Sequence, residues 1–152
     1  MIKVYLASHY TRKPEIIEHA AELERLGITV VSRWHKEKHK PTASQHSISG
    51  ATLRNIAKRD IEELDEATHL VLLTVDPDFK FTRGGHCFED GYAKGKGKER
   101  ALVGPRQLVF HYLPGTRRFE IWKTCRDWLI EENKRYRELP PGPGNVKLKK
   151  GG

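Results

Sequence analysis

The chain reads as an α/β protein, a Rossmann-like three-layer αβα sandwich built on a mostly parallel five-stranded sheet. Three observations predict this: a β-branched and aromatic run at the start, a helix-period segment after it, and a nearly continuous apolar run at 68–75. An apolar run without alternation marks a strand covered on both faces, as parallel sheets require. Strands that alternate with helical segments are the signature of stacked βαβ units.

Taken in order, Ile2 to Ala7 is the first strand and "SHYTRK" the loop that follows it. A helix begins near Pro14, since proline suits a first helical turn, and Ile16, Ile17, Ala20, Ala21, Leu23 and Leu26 recur at its period until Gly27 stops it. "ITVVSRW" at 28–34 returns to strand. Residues 35–50 are polar, with Pro and Gly and no apolar period, and are read as a long loop of the kind kept for function. A second helix at 51–67 carries Leu53, Ile56, Ala57, Ile61 and Leu64 on one face and leads to the strand "THLVLLTV". After a glycine-rich loop come a helix from His86 to Lys94, a short strand "ALVG", an irregular segment, a short strand "FEIW" and a last helix from Lys123 to Glu138 with Trp128 and Leu129 inward. A single domain over 1–138 is expected, followed at 139–152 by a mobile Pro/Gly-rich basic tail.

Lys+Arg 28 against Asp+Glu 20 gives a net charge of +8, which favours anionic partners such as nucleotides, nucleic acid or phosphorylated metabolites. The 2 cysteines, Cys87 and Cys125, lie far apart without metal or disulfide spacing, so a reducing cytoplasm is expected. The opening residues lack a signal-peptide pattern, and no stretch is long enough to span a bilayer. His35, His39 and His46 share one polar loop but form no closed ligand set, so no metal is expected, and no cofactor.

Ligands of open α/β sheets sit beyond the carboxyl ends of the strands. The three loops there hold Arg12, Arg33, Trp34, Lys80 and Arg83, a cationic and aromatic set suited to gripping a phosphate and stacking a base. Neither GxGxxG after the first strand nor GxxxxGK[ST] anywhere is present, which disfavours dinucleotide-dependent hydride transfer and P-loop hydrolysis. In "FTRGGHCFEDGYAKGKGK", Glu89 follows Gly84 and Gly85 at the head of a helix, where unpaired backbone N–H groups keep a carboxylate ionised. The two glycines remove side chains where a sugar or phosphate approaches, and with His86 they complete the expected substrate-binding set.

"VYLAS", "RDIEELDEATHLVLLT" and "GGHCFEDGYAKGKGK" together resemble the nucleoside 2-deoxyribosyltransferase family, whose relatives include hydrolases that remove the base from deoxynucleoside monophosphates. The resemblance runs from residue 2 to about residue 130, is most specific at residues 88–93, and points to a subgroup associated with bacteria and phages. It implies Glu89 as nucleophile, and hence Cys87 as no more than a small buried residue, Asp60 as the acid at the leaving base, and Tyr5, Ala7 and Ser8 as lining of the sugar pocket. It also implies a homo-oligomer, at least a dimer, whose site is completed by a neighbouring subunit through Arg106 to His111. Arg83 stands where transferase members carry Asp and the monophosphate hydrolases Ser; its fork geometry suits phosphate and tilts the expectation to a 5′-monophosphate.

The chemistry is consistent with those assignments. N-glycosidic cleavage passes through a cationic sugar, which a carboxylate beneath C1′ stabilises and then traps as an ester, while a second, protonated carboxyl serves the leaving base. Water as acceptor gives hydrolysis, and a second base gives transfer. A non-catalytic nucleotide-binding module and a nucleic-acid-binding protein are the competing readings; the first predicts binding without base release, the second a steep salt dependence.

Overall fold

The computed structural model describes residues 1–38, 48–75 and 84–140. Among these, β1 (Lys3–Ser8), β2 (Thr29–Val30), β3 (His69–Leu73), β4 (Glu99–Val103) and β5 (Thr116–Phe119) form one sheet in the order β2-β1-β3-β4-β5, every neighbouring pair parallel. The helices are α1 (Lys13–Arg25), α2 (Gly50–Glu66), α3 (Gly85–Gly95) and α4 (Trp122–Glu138). The Trp122 indole and Arg126 both bond Glu22, tying α4 to α1 on one face of the sheet. Tyr92 on α3 donates to Asp65 on α2 across the other. The three-layer α/β sandwich anticipated from the alternation is therefore the fold.

The middle strands behave as their composition requires. All five residues of β3 are buried, and β1 is buried from Val4 to Ser8. Its register against β3 runs from Val4↔His69 to Ser8↔Leu73, so both strands deliver their carboxyl ends to the same edge. Gly104, just beyond β4, has φ +110°, and a Cβ there would lie 2.6 Å from Thr74 Oγ1, so only glycine lets the chain pass this close to the end of β3.

The edge strands depart from expectation. The second strand, read over 28–34, contracts to Thr29–Val30 because side chains take over the bonds that a longer β2 would make with β1. Ser32 Oγ accepts from the Leu6 N–H at 3.1 Å, and the Trp34 indole donates to the Leu6 carbonyl at 2.7 Å from a short 3₁₀ turn at Trp34–Lys36. The last strand lies at Thr116–Phe119 rather than 119–122, and Trp122 opens α4 instead. With Arg117 and Arg118 facing solvent on this outer strand, no apolar pattern advertises it. The fourth strand begins at Glu99 because Arg100 is buried within it by an ion pair.

Cys87 is half-exposed, not buried as expected, because it lies on the flank of α3; Cys125 is the buried thiol, pushed up to about 12 by its surroundings. Trp128 is partly buried beside the fully buried Leu129. Among the described residues no helix is long and apolar enough to cross a membrane. The expectations for His39, His46, Lys80, Arg83 and most of the basic tail fall outside the described residues.

Candidate active site

The site grows from the alternation of β1. Tyr5 and Ala7 point to the face covered by α2 and α3, since successive strand residues face opposite ways. Both are fully buried, and the Tyr5 hydroxyl emerges to donate to Glu89 Oε1 at 2.8 Å. Ser8 closes the strand by donating to the Leu73 carbonyl at 2.9 Å, joining the ends of β1 and β3.

Glu89 is the fifth residue of α3, which starts from Gly84 in the left-handed region (φ +76°) with no side-chain cap and no acid in its first turn. The expected helix-start stabilisation of its charge therefore does not govern it. Burial dominates and pushes the Glu89 carboxyl up to about 8; the Tyr5 hydrogen bond opposes this, and the charges of Asp60 and Glu63 reinforce it. Tyr5 is itself driven far above the usual phenol range by burial and by Glu89, so it remains a proton-bearing donor.

Asp60 reaches the same place from α2. Burial raises its carboxyl above the usual range, against the pull of Arg59, whose Nη2 lies 2.8 Å from Asp60 Oδ1. Arg59 also pairs with Glu37 and lies 3.3 Å, through Nε, from Glu63 Oε1. Glu63 is only 3% exposed and accepts from the Arg33 backbone N–H at 3.0 Å and from Arg33 Nε at 2.6 Å. The charge on Asp60 adds to the burial that raises Glu89, so a proton shared by the two carboxyls rests first on Glu89. Once that proton has moved to Asp60, Glu89 is a carboxylate with one oxygen held by a phenol and the other without a partner among the described residues. Such a pair can attack an electrophilic carbon and protonate a leaving group.

The remaining expected residues divide. Among the described residues no atom lies within 4 Å of a Cβ added at Gly84 or Gly85, leaving open backbone at the start of α3. His86, buried beside them, faces His9 edge-on with ring centroids 6.2 Å apart, and burial holds it below the usual histidine range. Arg12, Arg33 and Trp34 do not join the carboxyl pair. Arg12 is bound through Nε and Nη2 to Glu15 and through Nη1 to the Thr74 carbonyl at 2.6 Å. It lines a cleft of about 580 Å³ between α1 and α4, with Thr11, Thr74, Gly104, Pro105 and Trp122. Arg33 is held against Glu63, and Trp34 is a core plug.

Sequence reasoning missed Glu37, Arg59 and Glu63. The spacing of Arg59 and Glu63 at i,i+4, with Asp60 and Glu63 at i,i+3, was the available signal, since such residues share a helix face. It also missed the pair beside the nucleophile candidate. Asp90 is bound through both oxygens by Arg100 Nε and Nη2 at 2.8 Å each, with His111 Nε2 3.7 Å from Asp90 Oδ2. His111 also accepts from the Gln107 N–H, fixing a 3₁₀ turn that leaves Val109, Phe110 and Tyr112 exposed. Among the described residues no group of His, Cys, Asp or Glu converges in a way that could hold a metal ion.

No protein-family model and no curated protein matches the chain.

Proposed function

We propose that the chain hydrolyses the N-glycosidic bond of a (deoxy)nucleoside 5′-monophosphate through a covalent ester on Glu89, releasing free base and sugar phosphate. The observation that carries this reading is the bond from the buried Tyr5 hydroxyl to Glu89, with Asp60 near enough for its charge to act on the same carboxyl. In the first half-reaction the C1′–N bond breaks, its electron pair leaves with the base, and the base takes the Asp60 proton. The other Glu89 oxygen bonds C1′ as this occurs. In the second, Asp60 takes a proton from water, the hydroxide bonds C1′, and the C1′–O bond breaks to return Glu89 as a carboxylate. A second base in place of water gives the deoxyribosyltransferase reaction.

Support for a phosphate on the sugar comes from the start of α3, where an acid-free first turn, open glycine backbone and the adjacent His86 suit an anion. The net charge of +8 acts in the same direction. The exposed Val109, Phe110 and Tyr112 support a homo-oligomer in which the neighbouring copy approaches through this turn. This reading places the chain in the nucleoside 2-deoxyribosyltransferase family and, since free nucleotides are cytoplasmic metabolites, in the cytoplasm.

The test is chromatographic detection of free base after incubation with a panel of nucleosides and nucleoside 5′-monophosphates, with and without a second base. Release from a monophosphate, lost in Glu89→Gln, is the expected result. Binding without release from any member of the panel would replace this reading with a nucleotide-binding module.

A further inference from the structure

Resting on the glycosidase reading, we infer that Arg59 is a positioning residue for the reaction: its guanidinium occupies Oδ1 of Asp60, so that the other oxygen carries the proton to the leaving base. Residues adjacent in an α-helix point about 100° apart, so Arg59 does not meet Asp60 by default. It does so here because its guanidinium is drawn in from two further directions, by Glu37 ahead of α2 and by Glu63 one turn along it. Three carboxylates converge on one fork, whose planar geometry fixes where each lies.

Neutralising the buried Glu63 does not by itself explain this arrangement, because Arg33 already serves Glu63 with both its Nε and its backbone N–H. The 2.8 Å contact of Arg59 Nη2 with Asp60 is the part left over, and it bears on the reaction. A carboxyl oxygen that accepts from a cation does not hold the proton, so a protonated Asp60 carries its proton on Oδ2. Once that proton has gone to the base, the same cation stabilises the aspartate that must next deprotonate water. The charged and titratable groups around Asp60 are Arg59 and Glu63 on α2, Glu37 before it, Glu89 on α3 and Tyr5 on β1. Arg59 is the cation among them that bonds Asp60.

The experiment compares Arg59→Met and Arg59→Lys with the wild type in steady-state base release across pH. In Arg59→Met, kcat is expected to fall about 10- to 100-fold, a part of the roughly 10²- to 10⁴-fold that general acid catalysis supplies, with KM within about twofold. The limb of the profile set by Asp60 moves to higher pH, because the cation that favoured its ionised form has gone. Arg59→Lys keeps the charge and restores the limb, but loses part of kcat because a single ammonium does not fix the carboxyl plane. Activity lost with an unmoved limb makes Arg59 a structural strut and overturns the inference, as does unchanged kcat. Should Arg59→Met not fold, a fall in kcat with unchanged KM in Arg59→Lys supports the role, and wild-type kcat there refutes it. A wild-type protein that releases no base defeats the glycosidase reading, whereas wild-type turnover unaffected by either variant defeats only the role of Arg59.

Discussion

Glu89 and Asp90 are neighbours on α3, and the fold treats them in opposite ways. Asp90, 3% exposed, receives two hydrogen bonds from Arg100, also 3% exposed, so a buried charge meets a buried countercharge in bidentate geometry. Glu89 receives a neutral phenol and faces the charges of Asp60 and Glu63, which leaves its carboxyl pushed up to about 8. A compensated buried acid joins α3 to β4 and to the turn at Val109–Tyr112. A part-buried acid without a countercharge, as Glu89 is, is costly to the fold, and such costs gather where chemistry is done.

Substitutions can break the contrast from either side. The largest effect is expected from Glu89→Gln, which removes the proposed nucleophile and lowers base release on the order of 10⁴-fold, read by single-turnover assay, with the circular dichroism spectrum unchanged. Asp90→Ala leaves Arg100 buried without a partner, and a loss of about 3–5 kcal/mol in denaturant unfolding follows.

The third prediction sharpens the contrast through pH. The folded Glu89 carboxyl lies at about 8 and an unfolded one near the ordinary value of about 4.3, so between these the folded state holds a proton that the unfolded state releases. Wild-type stability therefore falls as pH rises through that window. Glutamine bears no charge, so Glu89→Gln should match the wild type near pH 4 and melt higher above pH 8, by about 2–4 °C for each kcal/mol relieved. Equal melting temperatures at both pH values would show that Glu89 is compensated after all. The smallest effect is that of Tyr5→Phe. The lost hydrogen bond had lowered the Glu89 carboxyl, so the limb of the rate profile set by Glu89 should move to higher pH by about one unit.

How much of this could be read in advance depended on whether the cause was local. The run His69–Leu73 declared β3 because every side chain in it is apolar or buried, and α1 and α2 declared themselves by period. The edge strands β2 and β5 did not, since Ser32 and Trp34 side chains replace backbone pairing in one and arginines face outward in the other. Tyr5, Asp60 and Glu89 were legible through the motif that resembles a known family, and the fold brings them together. The charge state of Glu89 was not, because it follows from burial between three elements rather than from its place in α3. Arg12 and Trp34 looked like ligand groups because cations and aromatics in loops beyond strands often are. Glu15 and the Leu6 carbonyl claim them instead, and only the i,i+3 spacing of Arg12 and Glu15 hinted at this.

The central claim is that Glu89, and not its neighbour Asp90, bonds the sugar. It is tested most directly by intact and peptide mass spectrometry of the protein incubated with a 2′-deoxy-2′-fluoro nucleoside 5′-monophosphate, in which the fluorine destabilises the cationic transition state and slows turnover of the ester. The account predicts base release together with a mass increase equal to the fluorinated sugar phosphate, localised to Glu89 and absent in Glu89→Gln. Base release with the protein mass unchanged throughout, or an adduct on any other residue, would contradict it.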